Sequence, residues 1–152
     1  MKVKYNKQAF TLIEMIIVLA LVSVLLLIGF FPVKTMIASY QEQQFWRTFN
    51  QAWSKTAITA ERKGCVAEVA FHSKEIEFSD YAENTRGQKR HSKIITLPPS
   101  LQVLTKFAYA DFYKNGGTKF MKVVFYSKLH QVKYTLIPQV GYGGRYRLEV
   151  TK

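Results

Sequence analysis

Residues 15–31, Met-Ile-Ile-Val-Leu-Ala-Leu-Val-Ser-Val-Leu-Leu-Leu-Ile-Gly-Phe-Phe, contain no charged side chain, and the rest of the chain must accommodate them. The nine residues at the start, MKVKYNKQA, carry Lys2, Lys4 and Lys7 and no acid, while Pro32 and Lys34 close the run. From Phe10 to Phe31 the segment has 22 residues. As a helix it is about 33 Å long, enough to cross a ~30 Å hydrocarbon core. The lysines at its start put that end in the cytoplasm and the body, residues 32–152, outside. A simple soluble globular protein is excluded.

Three readings of this segment compete. A secretory signal peptide has a shorter apolar region followed by a small-x-small cleavage site, and Gly29-Phe30-Phe31-Pro32-Val33-Lys34 makes a poor one. A plain transmembrane anchor fits the length. Neither explains Glu14, an acid at the mouth of the apolar run. A carboxylate near the start of a spanning helix is costly and points to a function and a partner. The plainer alternative is that it snorkels to the headgroups.

The third reading rests on Gln8-Ala9-Phe10-Thr11-Leu12-Ile13-Glu14-Met15-Ile16-Ile17-Val18-Leu19. This segment resembles the class III signal of type IV pilins and pseudopilins: a short basic leader, a small residue, Phe, then Thr-Leu-Ile-Glu and a long apolar helix. The resemblance implies that a prepilin peptidase removes residues 1–9 by cutting after Ala9 and that Phe10 becomes the N-methylated first residue. Ala9 stands where Gly is usual. It further implies that Glu14 meets the α-amine of a neighbouring subunit's first residue during assembly. An ammonium and a carboxylate left unpaired in a low-dielectric site cost several kcal/mol, so the pair acts as a register device.

Beyond Pro32 the helix is expected to continue, because Ile37, Tyr40, Phe45, Phe49, Ala52, Trp53, Ala57 and Ala60 form a helical stripe. Gly64, preceded by Arg62 and Lys63, is a stop signal. The pattern then changes to period two. Val66–Phe71 and Glu75–Phe78 read as a strand pair around residues 72–74, residues 80–93 as a polar loop, and Lys93–Leu97 as a strand ended by Pro98-Pro99. Phe107–Tyr113 alternates weakly before a turn at Lys114-Asn115-Gly116-Gly117. Lys119–Tyr126, Val132–Ile137 and Arg145–Val150 are three further strands. The expected fold is α+β: a long N-terminal helix, transmembrane over residues 10–31, packed on a C-terminal antiparallel sheet. The pilin resemblance implies the same layout. More narrowly, Glu42-Gln43-Gln44-Phe45-Trp46-Arg47-Thr48-Phe49, the Leu97-Pro98 turn and the order of the last strands resemble the ComGD-like minor pseudopilins of the Gram-positive competence system.

No catalytic constellation stands out. His72, His91 and His130 are isolated, and the Gly-rich segments at 116–117 and 141–144 lack phosphate-loop and dinucleotide spacings. No enzyme activity, metal or cofactor is expected. A single cysteine, Cys65, excludes a disulfide framework within the chain. It reads either as a small buried apolar residue or as the source of an intermolecular disulfide.

Charge is the remaining signal. Residues 34–83 carry six bases and seven acids, whereas residues 84–152 carry thirteen bases and two acids. If strand alternation exposes them on one face, Lys119, Lys122, Lys133, Arg145 and Arg147 attract phosphates, and Tyr134 and Tyr146 stack on single-stranded bases. The alternative is a basic face that keeps the domain soluble or meets an anionic wall or an acidic subunit. Together with the resemblance, this implies a minor pseudopilin of a competence pilus serving DNA uptake. Its partners would be other pseudopilins, prepilin peptidase, and the membrane protein and ATPase that assemble the pilus; the mature subunit would reach the cell surface. A pilin-like subunit of a secretion system or adhesive pilus is the rival reading, and an unprocessed anchored binding protein the third.

Overall fold

The computed structural model describes residues 11–81, 89–139 and 144–152, with side chains described there except at 28–32, 89–90 and 138. The chain divides into two compact units, Met1–Ile37 and Ala38–Lys152. One helix, α1 (Leu12–Lys63, 52 residues), contributes to both. Its start is capped locally: the Glu14 N–H reaches the Thr11 carbonyl at 3.1 Å and the Thr11 hydroxyl at 3.4 Å. Thr11 is therefore the N-cap, its hydroxyl accepting from the N–H three residues on. Its end forms a Schellman motif. Cys65 N–H donates to the Ala60 carbonyl and Gly64 N–H to the Glu61 carbonyl, with Gly64 at φ +62°. The expected stop at Gly64 is the observed one. The residue after it, Cys65, is buried.

Within the first unit, α1 is apolar all round. Exposure of its large side chains runs from 45% at Val22 to 81% at Leu12. The Ser23 hydroxyl donates to the Leu19 carbonyl at 2.8 Å, so it seeks no partner outside the helix. Among the described residues no helix is long and apolar enough to cross a membrane. The described apolar stretch, 12–27, falls short of the ~20 residues a span requires. The expected span also includes Phe10 and the side chains of 28–32, which lie outside the described residues.

Within the second unit, Phe45, Phe49, Ala52, Trp53, Ala57 and Ala60 form the buried stripe of α1. Ile37 and Tyr40, the first two members of the expected stripe, are exposed instead; the buried stripe is continued toward the N-terminus by Glu42. Among the described residues nine strands follow: β1 (Ala67–Phe71), β2 (Glu75–Tyr81), β3 (Lys89–Thr96), β4 (Leu101–Val103), β5 (Ala108–Phe112), β6 (Thr118–Phe120), β7 (Val123–Ser127), β8 (Val132–Pro138) and β9 (Tyr146–Thr151). They make two antiparallel sheets, β3-β2-β1-β5-β6 and β4-β7-β8-β9. The expected α+β fold, a helix packed on antiparallel β-structure, is the observed one, but the single meander is corrected to two sheets. The supposed strand 119–126 is in fact β6 and β7, which belong to different sheets. Phe120 and Val123 both pack inward three residues apart, so the period-two phase slips at Met121-Lys122, where the chain changes sheet.

Both ends of the supposed loop 80–93 are strand: β2 runs to Tyr81 and β3 starts at Lys89, and residues 82–88 lie outside the described residues. The polar sequence Lys-Arg-His-Ser-Lys misled because β3 lies at a sheet edge, where charged side chains discourage further pairing. The core is a ring cluster centred on Phe49 and Trp53, with Phe45, Phe71, Phe78, Phe112 and Phe125 around them. Trp53 Nε1–H donates to the carbonyl of Gly144. That position requires glycine: φ is +58° and an added Cβ would lie 2.5 Å from the Phe112 ring.

Candidate functional site

Ala9 and Phe10, the expected processing junction, lie outside the described residues. Glu14 is described, three residues into the helix and exposed. Its place beside the helix N-terminus suits a carboxylate electrostatically, while the contact to Thr11 is made by the backbone N–H of residue 14 and does not use that carboxylate. Thr11 directly before the apolar run is the N-cap signal in the sequence.

The expected basic face is divided between the two sheets. Pairing puts Lys119 opposite Asp111 in the first sheet. In the second sheet Lys133 lies between Tyr126 and Thr151, and Arg147 lies opposite Ile137. Lys122 precedes β7, Arg145 precedes β9, and both are exposed. Alternation along β8 and β9 turns Leu136, Tyr134, Tyr146 and Leu148 toward the core and Lys133 and Arg147 away from it. Tyr134 packs 5.5 Å from Trp46, and Tyr146 packs 5.2 Å from Trp53 and 5.7 Å from Phe49. The Tyr146 hydroxyl bonds to Asn50 Oδ1. Burial raises the Tyr146 phenol above its ordinary value, and burial and then the Glu42 carboxylate do the same to Tyr134. The structure places these two tyrosines half-buried with their rings against the core, rather than on an open face; Tyr126 lies on the outer face beside Lys133.

Glu42 was noted only as part of a resembling segment, yet it is 3% exposed. Its carboxylate accepts from the Ser127 hydroxyl at 2.9 and 3.1 Å, and His130 Nε2 stands 3.8 Å away. A buried carboxylate needs such partners. An acid three residues before Phe45, in phase with Phe45 and Phe49, was the available signal. The trio is not an activated nucleophile. Glu42 lies between Ser127 and His130, so no imidazole nitrogen is shown receiving the hydroxyl proton.

A cleft of about 410 Å³ opens between α1 and the β2–β3 edge, lined by Lys55, Lys63, Asp80, His91 and Lys93 among others. Asp80 is paired there, 3.2 Å from Lys63 Nζ and 3.5 Å from His91 Nδ1. Among the described residues no group of three or more His, Cys, Asp or Glu side chains could hold a metal ion.

Residues 4–30 match the family described as the prokaryotic N-terminal methylation motif. Neither the curated proteins nor the solved structures give a significant match to the chain. The motif, followed by a long helix packed on antiparallel β-structure, indicates a type IV pilin-like prepilin. It implies processing by prepilin peptidase, membrane anchoring before assembly, and assembly with other pilus components.

Proposed function

We propose that the chain is a minor pseudopilin, a structural subunit of a competence-type filament that serves DNA uptake in natural transformation. The observation that carries this reading is the uncompensated charge after residue 84. Of the two acids there, Asp111 is fully buried and Glu149 is paired with Arg147, against thirteen Lys and Arg. Such an imbalance attracts a polyanion and speeds its capture. Peptidase cleavage after Ala9 and methylation of Phe10 release the subunit for assembly. Glu14 then meets a neighbour's α-amine and fixes its register, while the basic second unit faces incoming DNA at the cell surface. The partners on this reading are other competence pseudopilins and the pilus assembly membrane protein and ATPase.

Deletion of the gene is expected to abolish transformation, and an intact copy to restore it. An Ala9→Leu copy should leave uncut precursor in the membrane and fail to restore it. Normal transformation in the deletion strain, combined with lost protein secretion or adhesion, would transfer the subunit to another pilus-like machine. Intact mass of surface material retaining Met1 would remove the processing step.

A further inference from the structure

Phe107 is 89% exposed, more than any other large hydrophobic side chain among the described residues, including those of the apolar part of α1. Its backbone is left-handed, φ 55°, a conformation unfavourable for a bulky residue and retained where the surroundings enforce it. Those surroundings are defined. Lys106 and Phe107 form the turn between β4 and β5. The base of that segment is tied to β7, with Leu104 N–H donating to the Val124 carbonyl at 2.8 Å and Val124 N–H donating to Thr105 Oγ1 at 2.9 Å. The ring is held out on a fixed support rather than left loose.

What surrounds it is cationic. Lys106 adjoins it, and Lys122 lies on the neighbouring crossover between the sheets. Val123 pairs with Leu136 and Ile137 with Arg147, so Lys122 and Arg147, the latter paired with Glu149, share one end of the second sheet. No acid occurs in residues 104–110 or 119–124. One projecting ring amid lysines fits a ligand that has both a regular negative charge and flat apolar faces. A single-stranded nucleic acid has both. A lipid surface offers the charge without the planar face, and is usually engaged by a broad apolar strip rather than one ring.

We propose that Phe107 is a stacking platform for an unpaired nucleic-acid base, with Lys106 and Lys122 holding the flanking phosphates. This rests on the DNA-uptake reading and replaces Tyr134 and Tyr146 as its aromatic component.

The test uses the full mature chain in detergent micelles, with fluorescein-labelled oligothymidylate and a duplex of equal length, read by anisotropy. Wild type is expected to prefer the single strand. Phe107→Ala should weaken single-strand binding roughly tenfold and leave duplex binding nearly unchanged. Phe107→Gly suits the positive φ, guards against a folding failure, and should behave like Phe107→Ala. Phe107→Trp should retain affinity, with indole emission quenched by the oligonucleotide. Lys106→Gln with Lys122→Gln should weaken both forms and flatten the salt dependence. Single-strand binding unaffected by Phe107→Ala and Phe107→Gly would overturn the platform while leaving the DNA reading standing. Failure of wild type to bind either form would overturn both. If the same variants instead lose binding to phosphatidylglycerol vesicles and keep the oligonucleotide, the ring is a membrane contact and the proposal fails.

Discussion

The two halves of α1 share one backbone and differ in what covers their side chains. Between Leu12 and Leu27 every large apolar side chain is exposed, with no polar face to set against them. Phe45, Phe49, Ala52, Trp53, Ala57 and Ala60 recur at intervals of about three and four and are buried, while Arg47, Asn50, Gln51, Ser54 and the exposed Ile58 occupy the other side. A uniformly apolar cylinder has no preferred side and suits lipid or a sheath of other helices. A striped one has a fixed side and suits a single partner, here the two sheets. Continuity of secondary structure therefore says little about continuity of role.

The largest expected effect separates the halves by stability. Trp53→Ala removes the ring shared by Phe49, Phe112, Phe120 and Tyr146, and with it the donor to Gly144. The loss should be about 3–5 kcal/mol, read from denaturant unfolding of the chain in micelles. Leu19→Ala, at a side chain 69% exposed, should stay within about 0.5 kcal/mol. Similar losses at both positions would show that the first half is packed against its own chain, and the contrast would fail.

The helix also carries two carboxylates with opposite surroundings. Glu42→Ala leaves the fully buried Ser127 hydroxyl without its acceptor and should cost about 1–3 kcal/mol in the same unfolding measurement. Glu14→Ala should leave that transition in place and reduce recovery of partner pseudopilins with the processed subunit. Undiminished co-purification would remove the register role from the Glu14 carboxylate, since the contact to Thr11 is made by the backbone N–H and survives in Glu14→Ala.

How much of this was legible depended on whether the signal was local. The Gly64 stop, the turn at residues 72–74 and the strand end at Pro98-Pro99 are written in a few adjacent residues, and each was read correctly. The methylation motif, also local, was read from residues 8–19. The assignment of strands to sheets was not local. Nothing within Lys119–Tyr126 except a one-residue slip of phase reveals that Phe120 and Val123 lie in different sheets. The facing of Tyr134 and Tyr146 failed for the same reason: alternation gives two sides but not which one meets α1. Glu42 was hidden because a charged residue reads as surface until Ser127, 85 positions away, is known to lie beside it. The exposure of Phe107 had no sequence signal, since an aromatic after lysine is ordinary in a strand-rich segment.

The smallest expected effect probes how dry the second half's interface is. Residues 12–37 contain no tyrosine, whereas Tyr134 and Tyr146 pack against α1 at Trp46, Phe49 and Trp53. Both phenols are raised above the ordinary value of 10.0, so the folded chain holds these protons more tightly than the unfolded chain. Their contribution to stability is therefore complete below pH ~10 and declines as pH rises above it, because the unfolded state ionises first. Spectrophotometric titration at alkaline pH should show part of the tyrosine ionisation of the folded chain delayed beyond pH ~10, as expected for Tyr134 and Tyr146. Tyr146→Phe should remove part of that lag and soften the alkaline decline. If all tyrosines instead ionise together and reversibly near pH ~10 with helicity retained, water reaches the sheet side of α1. The second half would then differ from the first in its pattern of residues but not in its solvent.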